Sequence, residues 1–178
     1  EMFLEERNID ITGTCIYPSL EGTRPILVEV QALVSKSTLN IPHRNTNGFD
    51  YKRINIILAV LEKRMGLSMG NKDVFINLVG GLKIDDPATD LSILCAIVSS
   101  SLDKIIRSSL VILGEVGLGG EVRSINNLYQ RILESSKLGF KEVLFPKSNL
   151  NKKIEGVDIV LHPVKDVKDV FQIIFNKK

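Results

Sequence analysis

Few groups in this sequence have the residue types and spacing that chemistry needs. Ser101-Leu102-Asp103-Lys104 matches the S-x-x-K pattern, in which a serine hydroxyl attacks and a lysine assists. The S-D-N and K-T-G partners of that chemistry are absent, so the four residues read as a polar helix end with Lys104 near the negative pole of the dipole. Glycines 114, 117, 119 and 120 do not follow G-x-G-x-x-G, and Glu115 and Glu121 beside them disfavour a pyrophosphate. That stretch reads as a tight turn between strands. No G-x-x-x-x-G-K-[ST] loop occurs, so ATP binding is not expected here. His43, His162, Cys15 and Cys95 are the soft metal ligands; no two share a short spacing, and no metal is expected. Lys36, His43, Arg44, Lys52 and Arg53 fall in or beside one polar stretch, opposed by Asp50. Lys36, Arg44, Lys52 and Arg53 are therefore candidates for contacts to DNA phosphates, against the alternative of a solvated loop.

The elements that would position these groups follow from periodicity. Ile11 to Tyr17 and Pro25 to Val34 read as a β-hairpin joined through Pro18-Ser19-Leu20-Glu21-Gly22, with Ile26, Val28, Val30, Ala32 and Val34 on one face. Residues 35–50 read as an exposed loop. Asp50 caps a helix over Tyr51 to Met65 that ends at Gly66. A strand over Asp73 to Val79 stops at Gly80-Gly81, and an apolar helix over Pro87 to Leu102 should be deeply buried, Cys95 serving as a small hydrophobe. Leu110 to Leu113, Val143 to Phe145 and Val157 to Leu161 read as strands, with helices over Asn126 to Leu138 and Asp166 to Phe175. The alternation after residue 70 predicts an α+β or α/β layer packed on the N-terminal hairpin.

Composition sets the frame. At 178 residues, 44% apolar and 25% charged, the chain is expected to fold as a single domain over residues 1–178, without a metal or disulfide staple. The net charge of +2 is too small to argue for nucleic acid by itself. There is no run of 18 apolar residues and no signal peptide, and two cysteines make no disulfide framework, so an intracellular, cytoplasmic location is expected. The first residue is Glu1, which suggests a fragment of a longer polypeptide.

Two longer stretches are less generic. One is Gly80-Gly81-Leu82-Lys83-Ile84-Asp85-Asp86-Pro87-Ala88-Thr89-Asp90-Leu91 with Ser99-Ser100. The other is Gly114-Glu115-Val116-Gly117-Leu118-Gly119-Gly120-Glu121-Val122-Arg123, followed by Arg131, Glu134, Lys137-Leu138-Gly139-Phe140 and Pro146. Together they resemble the proteolytic domain of the Lon family, and more closely the Lon-like C-terminal domain of a family of bacterial DNA-repair ATPases. Phe3-Leu4-Glu5-Glu6-Arg7 and Glu21-Gly22-Thr23-Arg24-Pro25 resemble that second family too.

The resemblance implies a Lon protease domain-like fold, related to the second domain of ribosomal protein S5, assembling as a hexameric ring. It also implies a longer protein with an N-terminal zinc finger and a RecA-like ATPase core. That protein would use ATP, Mg and Zn and drive branch migration on recombination intermediates. An active Lon domain pairs a serine nucleophile with a lysine base. By resemblance the serine slot here is Ala88, which has no oxygen, and the lysine slot is Arg131, whose guanidinium cannot accept a proton. Leu113 replaces a threonine. The expectation is a non-catalytic assembly domain, in which Arg131 pairs with Asp85, Asp86 or Asp90 to make the cleft a structural joint. The alternative is an active peptidase with a displaced nucleophile such as Ser92; Ser99, Ser100 and Ser101 are the other hydroxyls nearby.

Overall fold

The computed structural model describes residues 11–151 and 153–175. The Phe3–Arg7 stretch and the terminal Lys177 and Lys178 lie outside the described residues. The chain folds as α+β layers around a mixed seven-stranded sheet of order β3-β4-β2-β1-β5-β8-β9. The strands are β1 (Thr14–Glu21), β2 (Arg24–Lys36), β3 (Arg44–Asn47), β4 (Lys72–Leu78), β5 (Leu110–Ile112), β8 (Glu142–Pro146) and β9 (Val160–Val164). A separate hairpin is formed by β6 (Glu115–Val116) and β7 (Val122–Arg123). The helices are α1 (Tyr51–Met65), α2 (Asp90–Leu102), α3 (Leu128–Lys137) and α4 (Val167–Ile174).

Local chemistry accounts for most boundaries. Asp50 accepts the Lys52 N–H at the start of α1, and Gly66 ends it in the left-handed region. Asp166 accepts the N–H groups of Lys168 and Asp169 at the start of α4. Eleven residues of α2 are buried, as its all-round apolar character predicts. Its polar members are used internally: the Ser99 and Ser100 hydroxyls accept from Gly13 N (2.8 Å) and Val34 N (2.9 Å). Cys15 and Cys95 are fully buried in the core between β1 and α2, and the Cys15 thiol donates to Ser92 O. Because odd-numbered β1 residues face α2, Thr14, Ile16 and Pro18 alternate to the opposite face; they are buried too, and α3 packs against β1 and β2.

Four expectations need correction. Residues 18–20 are strand, and the turn falls at Gly22-Thr23. Pro18 is tolerated because its N–H position points away from β2, toward β5, which pairs with β1 only at Ile16↔Val111. Residues 44–47, expected as loop, form edge strand β3 parallel to β4; a polar Arg-Asn-Thr-Asn edge carries no hydrophobic period to reveal it. The strand expected at 157–161 lies at 160–164, with Pro163 allowed because β9 is also an edge. The helix expected from Pro87 starts as a 3-10 turn over Pro87–Thr89 before α2.

Candidate functional site

The two long motifs meet at the N-terminal end of α2. Asp86 precedes the 3-10 turn, and its Oδ1 accepts the Ala88 N–H at 3.0 Å. Ala88 is 1% exposed, and its carbonyl accepts from Gly114 N at 2.8 Å, so the two motifs are joined through their backbones. Arg131 enters from the first turn of α3. Past the Ile16↔Val111 bridge β1 has a free edge, and the guanidinium lies along it. Its Nη1 donates to Tyr17 Oη (2.7 Å) and Pro18 O (3.1 Å), its Nε to Asn126 O (3.1 Å), and its Nη2 to Asp86 Oδ2 (2.6 Å). Tyr17 completes the set by donating to Asp86 Oδ2 at 2.8 Å.

The electrostatics follow from these contacts. Burial pushes the Asp86 carboxyl up, but the Ala88 N–H, Arg131 and Tyr17 outweigh it, and the net shift is downward. Burial pushes the Tyr17 hydroxyl well above the usual tyrosine range; Arg131 opposes this and Asp86 adds to it. Of the three carboxylates expected near Arg131, Asp86 takes it, Asp85 is exposed, and Asp90 belongs to a second joint.

Asp90 is fully buried at the start of α2. It receives both Nε and Nη2 of Arg53 from α1, and the Val116 N–H at 3.1 Å. Burial raises its pKa, with Arg53 and the Val116 N–H pulling the other way. A shallow cavity of about 80 Å³ lies above this pair, between Phe49, Ile84 and Pro87.

Such an arrangement can hold elements together, and the serines nearest to it have engaged hydroxyls. The Ser92 hydroxyl is fully buried and donates to Ile112 O at 2.5 Å. The Ser99 hydroxyl donates to Lys104 O at 2.5 Å. Lys104 itself sits beyond the C-terminus of α2, 5.5 Å from the centre of the Phe175 ring. Leu113 is buried and donates its N–H to Leu144 O.

The four candidate phosphate contacts do not converge. Arg53 is the partner of Asp90, and Arg44 reaches back to Met69 O at 2.7 Å. Lys36 and Lys52 are exposed, Lys36 at the end of β2 and Lys52 on the first turn of α1. Lys36 stands directly opposite Lys72 of β4. Of the soft ligands, His162 contacts Glu142 at 2.9 Å and His43 is exposed; among the described residues no group of three or more His, Cys, Asp or Glu is placed to hold a metal. No described helix is long and apolar enough to cross a membrane.

Sequence reasoning missed Tyr17 and the true partner of Arg53. A tyrosine in a hairpin strand carries no signal of its own, and the Arg53–Asp90 pair spans 37 residues. It also missed a third cluster, where Glu142 accepts from both ends of Arg107 (2.9 Å each), from Ser109 (2.9 Å) and contacts His162. Arg107 holds the Glu142 carboxyl down to about 2, with burial opposing and His162 and Ser109 assisting.

Comparison with known proteins places the chain. Residues 29–149 match the family model described as ChlI, subunit ChlI of Mg-chelatase. The chain is similar to DNA repair protein RadA of Bacillus subtilis (strain 168), 44% identical over 162 residues, covering 90% of this chain and 35% of that protein. The same is found for DNA repair protein RadA of Halalkalibacterium halodurans (41% over 173 residues; 97% and 38%) and of Streptococcus pneumoniae (42% over 175 residues; 98% and 42%). The chain thus spans well under half the length of the curated relatives it matches. It belongs to the family of subunit ChlI of Mg-chelatase, and its relatives in that stretch are bacterial DNA repair proteins named RadA.

Proposed function

We propose that this chain is a non-catalytic, Lon-like assembly domain of a cytoplasmic DNA-repair ATPase. The observation that carries this reading is the buried Arg131 guanidinium, bonded to Asp86, Tyr17, Pro18 and Asn126. At the slot where resemblance would put a lysine base stands a cation whose donors are engaged in joining α3, β1 and the turn before α2. Ala88 beside it offers a methyl group where an attacking oxygen would be needed. The chain also lacks a phosphate-binding loop, so nucleotide hydrolysis belongs, in this reading, to a RecA-like core in the longer protein, with Mg, and a zinc finger before it. That protein would act on recombination intermediates, and this domain would hold its copies in a ring, hexameric by resemblance to Lon.

The test has two arms. A serine-directed fluorophosphonate probe and unfolded casein should give no labelled serine and no cleavage; labelling of a single serine would establish the displaced-nucleophile reading instead. Light scattering on the chain, and on the longer protein with and without it, should show assembly that depends on this domain. An unchanged assembly after deletion would refute the scaffold role.

A DNA contact within this domain is favoured by one observation. Lys36 and Lys72 are cross-strand neighbours, and like charges directly opposite are unfavourable unless an anion lies between them. A phosphate would supply that anion. Anisotropy titrations with duplex DNA should weaken steeply with salt, and more weakly so for Lys36→Ala with Lys72→Ala. An unchanged salt slope would leave these lysines as solvated surface.

A further inference from the structure

How copies of this chain meet is a question that rests on the assembly reading above. The β6–β7 hairpin is pinned at every turn of its tip. Gly117 N donates to Glu121 O (2.9 Å), Gly120 N to Gly117 O (3.0 Å) and Val167 N to Gly120 O (2.9 Å). Arg64 Nε donates to Leu118 O at 3.4 Å, and Glu121 bridges to Asp166. From this held tip the Leu118 side chain projects with 71% of the residue exposed. A lone exposed leucine is ordinary. A leucine fixed on a rigid hairpin becomes informative when a matching recess exists elsewhere on the same chain.

That recess lies on the sheet face turned away from α2. Leu33 and Phe75 stand directly opposite one another in β2 and β4, 60% and 39% exposed. With Ile11 they border an open, largely apolar cavity of about 290 Å³, rimmed by the amides of Gln31 and Asn77. A leucine side chain fits such a space. The rims are complementary in charge as well. By strand alternation Glu29 and Asp73 share the face of the recess, Glu29 accepting from the Gln31 amide at 2.9 Å and Asp73 from the His43 N–H at 2.7 Å, and both carboxylates keep their negative charge there. Arg64 and Arg123 flank the hairpin; Arg123 is loosely paired to Glu121 at 4.0 Å, and Arg64 has no carboxylate partner among the described residues.

The hairpin is held by α1 and α4, whereas the recess lies on the exposed β2–β4 part of the sheet face, so the two surfaces are different patches of one molecule. Contact between different patches is head-to-tail, and it closes into a ring when the rotation allows. We propose that Leu118 of one copy seats between Leu33 and Phe75 of the next, with Arg64 and Arg123 facing Glu29 and Asp73.

Sedimentation of the 178-residue chain tests this with two variants at exposed positions, Leu118→Asp and Leu33→Asp. Each should weaken assembly on the order of ten- to hundredfold, the loss of one buried leucine. Mixed one to one, they retain a single competent contact, Leu118 of the Leu33→Asp chain against Leu33 of the Leu118→Asp chain, and should form a heterodimer and nothing larger. Thermal melts matching the parent chain establish that both variants fold; Leu118→Ser or Leu33→Ser serves in place of the corresponding variant if it does not. If both variants assemble like the parent chain, or if both lose assembly and their mixture stays monomeric, the Leu118 contact is wrong while the assembly reading stands. If the parent chain and the longer protein are both monomeric, the assembly reading fails and takes this contact with it.

Discussion

Arg131 Nη2 and Asp86 Oδ2 stand 2.6 Å apart, and the same carboxylate caps the backbone at Ala88. One ion pair thus ties the third helix to the turn that opens the second. Its arginine side chain is 3% exposed and its aspartate 32%, so the cation is dry while the anion keeps some water.

Replacing Arg131 with Met should therefore leave Asp86, Tyr17 Oη and Pro18 O short of their donor. Breaking a fully buried pair costs about 3–5 kcal/mol; with Asp86 partly solvated, about 2–3 kcal/mol is expected from urea unfolding at pH 7. Because the Asp86 pKa is lowered in the folded state, its contribution is present above the unfolded carboxylate pKa and is lost as pH falls through the folded one. The Arg131→Met deficit should shrink over that acid range. A deficit that persists unchanged would place the role of Arg131 in packing.

Glu142 gives a second acid signature. Its folded pKa is about 2 against an ordinary 4.5, so the stabilisation it provides is complete above about 4.5 and disappears as pH falls toward 2. Glu142→Gln should lower stability at neutral pH and flatten the profile between those values. Arg107 also bonds the carbonyls of Ile173 and Phe175 at the end of α4, so hydrogen exchange there should rise in the same variant.

The outline of this fold was legible wherever a buried face imposes a period or a cap imposes a residue type. The even-numbered residues of β2, the Asp50 and Gly66 boundaries of α1 and the buried α2 all follow from that. The edges were not legible: β3 is polar, and Pro18 and Pro163 look like strand breakers until the unpaired side of their strand is known. That Arg131 faces the Asp85–Asp90 stretch was readable only through the resemblance, which sets Arg131 and the residues around Ala88 in one cleft. The choice of Asp86 over Asp90 was not, because it depends on Arg53 claiming Asp90 from another helix.

Gly48 predicts a steric effect that composition would not suggest. Its φ is +91°, and an added Cβ would lie 2.2 Å from Leu82 O. The Gly48 carbonyl accepts the Ile84 N–H, so the 82–86 segment is held against this point. Gly48→Ala should cost more than the about 1–2 kcal/mol of a left-handed alanine alone, because the segment must move as well. Gly66→Ala is the matched control: its φ is +66° and an added Cβ meets nothing within 4 Å, so the conformational cost stands by itself. Equal losses in urea unfolding would show that the 82–86 segment yields freely.

The Arg53–Asp90 pair makes the sharpest case for reading the cleft as a joint. Asp90 is fully buried, and Arg53→Ala would leave it with the Val116 N–H and no cation. Stranding a buried carboxylate in this way should cost about 3 kcal/mol at pH 7. The sign of its pH dependence is opposite to that of Glu142. Burial already raises the Asp90 pKa, so the folded state binds its proton more tightly than the unfolded chain does, and loss of Arg53 raises that pKa further. The Arg53→Ala variant should accordingly recover part of its stability as pH falls from 7 toward 5. Asp90→Asn in the same background removes the stranded charge and should recover most of it at pH 7. A double-mutant cycle in which the two losses simply add would mean that the pair does not couple α1 to α2, and that the buried aspartate is held by the backbone alone.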